Sequence, residues 1–184
     1  MDHLKPLTTT LAVENPDELD TVWEFFQKHH WIAPGAHHTP VTDAWERCRR
    51  QSNPFTWNPP HVASGSTFRS LLNRNRNLLA ITQTLIEDTL SLLPNKHCAL
   101  AVTDETGCTL MMGGTPGLCE SLQKLGLQEG AFWSEGQIGS NAISQSIHLS
   151  DPVSMYGSEH FNRTLHDYAT HAAPVFSLDG RLRG

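Results

Sequence analysis

Eleven histidines and four cysteines are the residues of this 184-residue chain best suited to metal or redox chemistry. Four histidines cluster across the turn formed by Pro34 and Gly35, namely His29, His30, His37 and His38. Neither adjacent pair has the i,i+4 spacing of a helical metal site, and no cysteine or carboxylate completes a recognised ligand set. We therefore expect no metal ion and no cofactor.

The four cysteines, Cys48, Cys98, Cys108 and Cys119, are scattered and form no C-x-x-C pair. This spacing disfavours an iron–sulfur cluster and is typical of free, half-buried thiols in a reducing compartment. The sequence has no G-x-S-x-G elbow and no serine or cysteine with an evident base, so we expect no enzyme activity and no catalytic residue. A metal or redox sensor is the least favoured function.

The segment 130–143 combines glycines with polar residues and runs from a loop into a predicted helix. One interpretation is the wall of a ligand pocket, because free backbone N–H groups at a helix start bind anions or carbonyls. The favoured interpretation is structural, with Glu135 and Asn141 holding the loop by hydrogen bonds. The candidate ligand-binding residues are Trp133, Glu135, Asn141, Tyr156, His160 and His171.

Helices dominate the first half of the predicted chain. Pro16 suits a first helical position after Asn15, and a second helix opens at Thr39-Pro40. A Pro-rich connector, 53–65, separates them from a third helix over 67–93, which would be roughly 40 Å long at 1.5 Å per residue. This helix either packs within its own domain or serves in dimerisation or signal transmission.

The second half alternates strands and helices. A β-hairpin is predicted over 98–112, helices over 138–149 and from Ser158, and strands over 152–156 and 171–178. This order favours an α+β fold: an antiparallel sheet flanked by helices, after an N-terminal helical segment, with a final strand apparently missing. We expect a helical extension and connector at 1–66, with a loose leader at 1–14, and a sensor domain at 67–184.

The net charge of −6 makes the chain a poor ligand for a phosphate backbone. We find no apolar run of membrane-spanning length, and the first ten residues do not resemble a secretory signal. The cytoplasm is the expected compartment, with neither nucleic acid nor membrane as a direct partner.

Several segments, in order, resemble one family of regulators. The segment 43–48 (DAWERC) is similar to the Ser-Trp-x-Arg-Cys segment of acetoin-operon activators, and 102–107 to the first strand and turn of their GAF sensor domain. The segment 130–143 resembles their Glu-x-x-Ile-Gly-Thr-Asn-Ala-Ile signature, with Ser140 in the place of Thr. The segments 159–161 and 172–175, with Asp179-Gly180, complete the likeness, which spans about residues 40–184.

Trp57, His61 and the segment 98–100 look closest to one branch, the activators of the dihydroxyacetone-kinase operon. The resemblance implies a GAF-like input domain of a sigma-54-dependent activator, contacted by subunits of dihydroxyacetone kinase; a homodimer is a further expectation. A GAF receptor for a carbonyl or polyol metabolite is the alternative. Thr170-His171 replaces a pair that often contains cysteine, so a role for that cysteine does not transfer. No G-x-x-x-x-G-K-[ST] loop is present, so ATP hydrolysis is not attributed to this chain.

Overall fold

Twelve helices and strands and two short 3₁₀ turns make up the described part of the chain. The computed structural model describes residues 9–10, 16–29, 40–93 and 97–184. The elements are β1 (Thr9–Thr10), α1 (Pro16–His29), α2 (Pro40–Cys48), α3 (Gly65–Arg74), α4 (Arg76–Leu92), β2 (Ala99–Thr103), β3 (Thr109–Gly114), α5 (Pro116–Lys124), α6 (Glu135–Ile138), α7 (Ala142–Leu149), β4 (Val153–Tyr156) and β5 (Ala169–Ala172). The predicted α+β class is confirmed.

Contacts divide the described residues into two compact units. The first unit holds the residues up to Asn58 together with Ser134–Pro174, and the second holds Pro59–Trp133 together with Val175–Gly184. The expected boundary between residues 66 and 67 stays a prediction. No described helix is both long and apolar enough to cross a bilayer.

The first unit is built on the sheet β1-β4-β5. Strand β4 pairs antiparallel with β5, from Val153 opposite Ala172 to Tyr156 opposite Ala169. Thr9 and Thr10 add a parallel pair to β4, so this part of the expected loose leader is a strand. Two buried tryptophans fix the helices through their indole N–H groups: Trp23 in α1 donates to the carbonyl of Phe161 at 3.3 Å, and Trp45 in α2 donates to that of Glu159 at 3.0 Å.

The apolar core of the first unit follows the predicted helix faces. Its buried members are Leu19, Trp23, Phe26, Val41, Trp45, Cys48, Ala142, Val153, Met155, and Phe161. The α1 and α2 contributions recur at three- and four-residue intervals, so each helix buries one stripe. The predicted starts at Pro16 and Pro40 are confirmed, because a proline at the first helical position loses no hydrogen bond.

The second unit is built on the predicted hairpin, β2 against β3. The turn between them is held by Asp104, whose buried carboxylate accepts from the amides of Thr106 and Cys108 at 2.9 and 3.1 Å. Arg74 Nη2 lies 3.1 Å from the same carboxylate and neutralises it. The hairpin is thus tied to α3 by an ion pair as well as by apolar packing around Leu110.

The predicted single helix over 67–93 is two helices, α3 and α4, which meet at Asn75. Asn75 is buried, and its side-chain Nδ2 donates to the carbonyl of Leu71 at 3.1 Å. Asparagine interrupts helices in this way because its side chain competes with the backbone for local hydrogen bonds. The uninterrupted α4 is therefore roughly 25 Å long.

The C-terminal third also departs from the predicted elements. The predicted helix over 138–149 begins only at Ala142, and Asn141, not Ser140, caps it. The helix expected from Ser158 is two short 3₁₀ turns, Gly157–Glu159 and Arg163–Leu165. The strand expected over 171–178 is β5, which ends at Ala172.

After the turn at Asp179-Gly180 the chain returns on itself. Arg183 N donates to the Val175 carbonyl at 2.8 Å, and Phe176 bridges to Leu182.

Candidate functional site

Glu135 opens α6 and is held by a forked ion pair. Arg47 of α2 donates from Nε to Glu135 Oε2 at 3.1 Å and from Nη2 to Oε1 at 2.7 Å. Gln145 of α7 donates its Nε2 to Oε1 at 2.5 Å. Both oxygens of the carboxylate are therefore used inside the protein, which supports the structural interpretation of Glu135 over a ligand-binding one.

Glu135 keeps its negative charge although it is partly buried. Burial alone raises the pKa of this carboxyl, but the hydrogen bonds from Arg47 and Gln145 and the charge of Arg47 outweigh it, so the pKa lies below its ordinary value. Two segments of the family resemblance, 43–48 and 130–143, are thus bonded to each other across 88 residues. The sequence offered no signal for this pairing.

Asn141 caps α7 with a reciprocal capping box. Its Oδ1 accepts from the amide of Ser144 at 3.1 Å, and Ser144 Oγ accepts from the amide of Asn141 at 3.1 Å. Its Nδ2 donates to the carbonyl of Gly139 at 3.0 Å. Gly139 has φ of 82°, and a Cβ there would lie 2.8 Å from the Phe161 ring, so only glycine fits. Asn141 and Gly139 therefore fix the conformation of the loop between α6 and α7.

His160 is fully buried and neutral. Its Nδ1 donates to the carbonyl of Gly157 at 2.9 Å, so its Nε2 accepts from Thr170 Oγ1 at 2.8 Å. Thr170 Oγ1 in turn accepts from the amide of Ala142 at 3.3 Å. Burial lowers the pKa of His160 to about 4. Thr170 therefore links β5 to the start of α7.

Tyr156 and His171 form an exposed aromatic pair on neighbouring strands. Their ring centroids are 5.4 Å apart in an edge-to-face arrangement, and His171 Nδ1 lies 2.8 Å from Ser154 Oγ. Tyr156 is 48% exposed. Of the six candidates, these two are the ones that present side chains to solvent.

Trp133 belongs to the second unit, whereas the other five candidates belong to the first. It is buried, and its amide donates to the carbonyl of Gly107 at 2.9 Å. The structure therefore links His160 through Thr170 to the amide of Ala142, the residue after Asn141, and pairs Tyr156 with His171. A ligand-binding role for any of the six stays a prediction.

The cysteines and the histidine cluster give no sign of a metal or redox site among the described residues. All four cysteines are free, and burial raises the pKa of Cys48 to about 12 and of Cys108 to about 11, so both are protonated and unreactive at neutral pH. His29 ends α1 against Phe25, while the other three histidines of the cluster lie outside the described residues. Among described residues, no group of three or more potential metal ligands is found.

Comparison with known proteins finds that operon regulators are similar in sequence to this chain. It is 35% identical over 144 residues to the PTS-dependent dihydroxyacetone kinase operon regulatory protein of Escherichia coli, and 27% identical over 170 residues to the acetoin dehydrogenase operon transcriptional activator AcoR of Bacillus subtilis. The crystal structure of the E. coli DhaR(N)–DhaL complex matches with a TM-score of 0.76 and 35% identity, over 78% of this chain and 49% of that chain. The DhaR and AcoR regulators are therefore homologues of this chain.

The chain spans only part of these relatives: 22% of the E. coli regulator and 28% of AcoR. The match to AcoR covers 92% of this chain, so the likeness extends into residues 1–39, where the motifs had indicated none. The relatives' names describe regulators rather than enzymes, in agreement with the predicted non-catalytic chain. No family model matches the sequence.

Proposed function

We propose that this chain is the regulatory input module of a bacterial transcription activator and that it works by binding a DhaL-type subunit of dihydroxyacetone kinase. The carrying observation is its similarity, at 35% identity and a TM-score of 0.76, to DhaR(N), which was solved in complex with DhaL. The higher identity to the dihydroxyacetone regulator than to AcoR supports the same branch.

The interior of the first unit supports recognition by a protein surface. The polar groups of the most distinctive segment bond to one another: Glu135 to Arg47 and Gln145, and Asn141 to Ser144. These internal hydrogen bonds hold the segment in one conformation, so the unit presents a defined surface. A module that recognises another protein needs such a surface. Such a regulator works in the cytoplasm, together with the enzyme it reads.

The decisive experiment is calorimetric titration of this chain with each purified dihydroxyacetone kinase subunit, with dihydroxyacetone, glycerol and acetoin titrated in parallel. We expect heat of binding from the DhaL-type subunit and none from the three small molecules alone. Binding of a small molecule without any subunit binding would favour the alternative, a GAF receptor for a carbonyl or polyol metabolite, and would overturn the proposal.

The exposed pair of Tyr156 and His171 allows a first map of the contact surface. Substituting Tyr156 by Ser removes an exposed aromatic group, the kind that dominates protein interfaces. Leu149→Ser, at an exposed apolar residue elsewhere in the first unit, is the control. A loss of affinity confined to one variant places the subunit at that surface.

A further inference from the structure

The first unit carries a cleft that involves none of the six candidate residues. It has a volume of about 390 Å³ and lies between α1, the connector at Phe55 and the 3₁₀ turn at Arg163. Trp23 and Phe55 form an aromatic wall, with ring centroids 5.3 Å apart in an edge-to-face arrangement. This volume is in the range of sites that hold small organic molecules.

The charges around the cleft balance. Asp20 and Glu24 contribute two carboxylates, and Lys28 and Arg163 contribute two cations. No ion pair within 4 Å joins any two of these four groups in the described structure. A cleft with equal numbers of both signs gives no net preference for an anion or a cation, but it offers many donors and acceptors.

Two further polar groups of the cleft lack protein partners. Gln27 is 8% exposed, and its Nε2 has no hydrogen-bond partner among the described residues. His166 donates from Nε2 to the carbonyl of His160 at 3.1 Å, so in the neutral ring Nδ1 is an acceptor, and the described residues provide no donor for it. Burial lowers the pKa of His166, which favours this neutral form.

A buried amide donor without a partner is destabilising unless a ligand or water accepts a hydrogen bond from it. Hydroxyl groups both donate and accept hydrogen bonds. A molecule with several of them accepts from Gln27 Nε2, donates to His166 Nδ1 and bonds to the four charged side chains at the same time. Its C–H faces also pack against an aromatic wall. We propose that this cleft binds a small, uncharged, polyhydroxylated compound of monosaccharide size.

The test is an NMR titration of the ¹⁵N-labelled chain in the absence of any kinase subunit, so its result is independent of the partner contact. The probes are D-glucose and D-mannitol, with D-gluconate and D-glucosamine as charged counterparts of similar size. We expect saturable shifts of the Trp23 indole and Gln27 amide signals with a neutral probe, and weaker binding of both charged probes.

Gln27→Leu should weaken binding of the neutral probe about tenfold, because one buried hydrogen bond to the ligand is lost. Gln123→Leu, at an exposed position of α5, is the matched control and should bind as the unmodified chain does. Arg163→Gln, at an exposed position, should also weaken binding, whereas Arg50→Gln should not; this pair keeps the test valid if Gln27→Leu fails to fold. Absence of saturable binding, tighter binding of a charged probe, or full affinity in the folded Gln27 and Arg163 variants would overturn the proposal.

Discussion

Single residues in the first unit make its stability depend on pH. His160 is enclosed as a neutral ring, with its pKa lowered from 6.5 to about 4, and burial lowers the pKa of His166 in the same direction. The unfolded chain therefore binds protons that the folded chain excludes, and folding becomes less favourable as pH falls from about 6.5 towards 4.

We expect the free energy of unfolding to fall by roughly 2–3 kcal/mol over this pH window from His160 alone. Urea denaturation at several pH values measures it. His160→Gln, which does not titrate, should show a shallower pH dependence although it is less stable near neutrality. His97→Gln, at an exposed position, is the control and should keep the steep dependence. Parallel pH profiles for the unmodified chain and His160→Gln would contradict this assignment.

The ion pair of Arg47 and Glu135 gives a second prediction. Arg47→Ala leaves a half-buried carboxylate without its cation and should cost about 1–2 kcal/mol near neutral pH, because solvent screens the partly exposed arginine. Since the folded-state pKa of Glu135 is lowered, this contribution is present above about pH 4.3 and is lost as pH falls through the folded value.

The difference in unfolding free energy between Arg47→Ala and the unmodified chain should therefore shrink at acid pH. Arg50→Ala, an exposed arginine in the turn that follows α2, serves as the control and should cost little at any pH. An undiminished difference at acid pH would assign the role of Arg47 to packing of its aliphatic stem instead.

At the scale of the elements, α7 depends on its cap. Asn141→Ala removes the side-chain acceptor for the Ser144 amide and should cost about 1 kcal/mol, or roughly 2–4 °C in melting temperature. Asn77→Ala, at an exposed position inside α4, removes no cap and should leave the melting temperature unchanged or slightly raised. Equal melting temperatures for Asn141→Ala and the unmodified chain would show that the cap is dispensable.

The exposed face of α4 carries a prediction about association. Ile81, Leu85 and Leu92 share one side of the helix and are 68%, 59% and 80% exposed. Apolar stripes of this kind mark protein contacts. We expect the chain to self-associate through this face, with Leu85→Glu raising the dimer dissociation constant at least about tenfold without lowering the melting temperature. Sedimentation equilibrium measures it, with Thr84→Glu as the neighbouring control. A monomeric unmodified chain would refute the expected dimer.

Elements with local signals were predictable, and those fixed by distant contacts were not. Pro16 and Pro40 mark helix starts, and the turn at Asp104 marks the hairpin, because a few neighbouring residues determine these features. The apolar spacing of Phe161 and Leu165 indicated a helix. Instead, Asn162 Oδ1 accepts from the Thr164 amide at 3.0 Å, and Asn162 Nδ2 donates to the Thr56 carbonyl at 3.1 Å. These two hydrogen bonds hold the segment in short turns.

The same limit applies to the candidate site. The segment around Glu135 was identified from its residues, but its partner Arg47 was not, because 88 residues separate them. The cleft at Gln27 was missed as well. Its lining comes from three separate stretches of the chain, and none of them carries a pattern that predicts binding.

At the scale of the whole molecule, the net negative charge predicts that the chain does not bind DNA. The net charge of −6 repels a phosphate backbone, and releasing counterions from DNA requires clustered cations. We expect no change in the fluorescence anisotropy of a labelled duplex on adding this chain, even at low salt. Binding that weakens steeply with added salt would reveal a basic surface that the overall charge conceals.

The bond between Arg47 and Glu135 also governs how modules of this family can be recombined. A chimeric regulator with its crossover point between these two residues takes the cation from one parent and the carboxylate from the other, together with the local geometry of each. Crossover points before residue 47 or after residue 145 keep Arg47, Glu135 and Gln145 in one inherited block. Libraries built with such breakpoints should yield more folded chimeras, so the signal that an activator reads can be exchanged without rebuilding its scaffold.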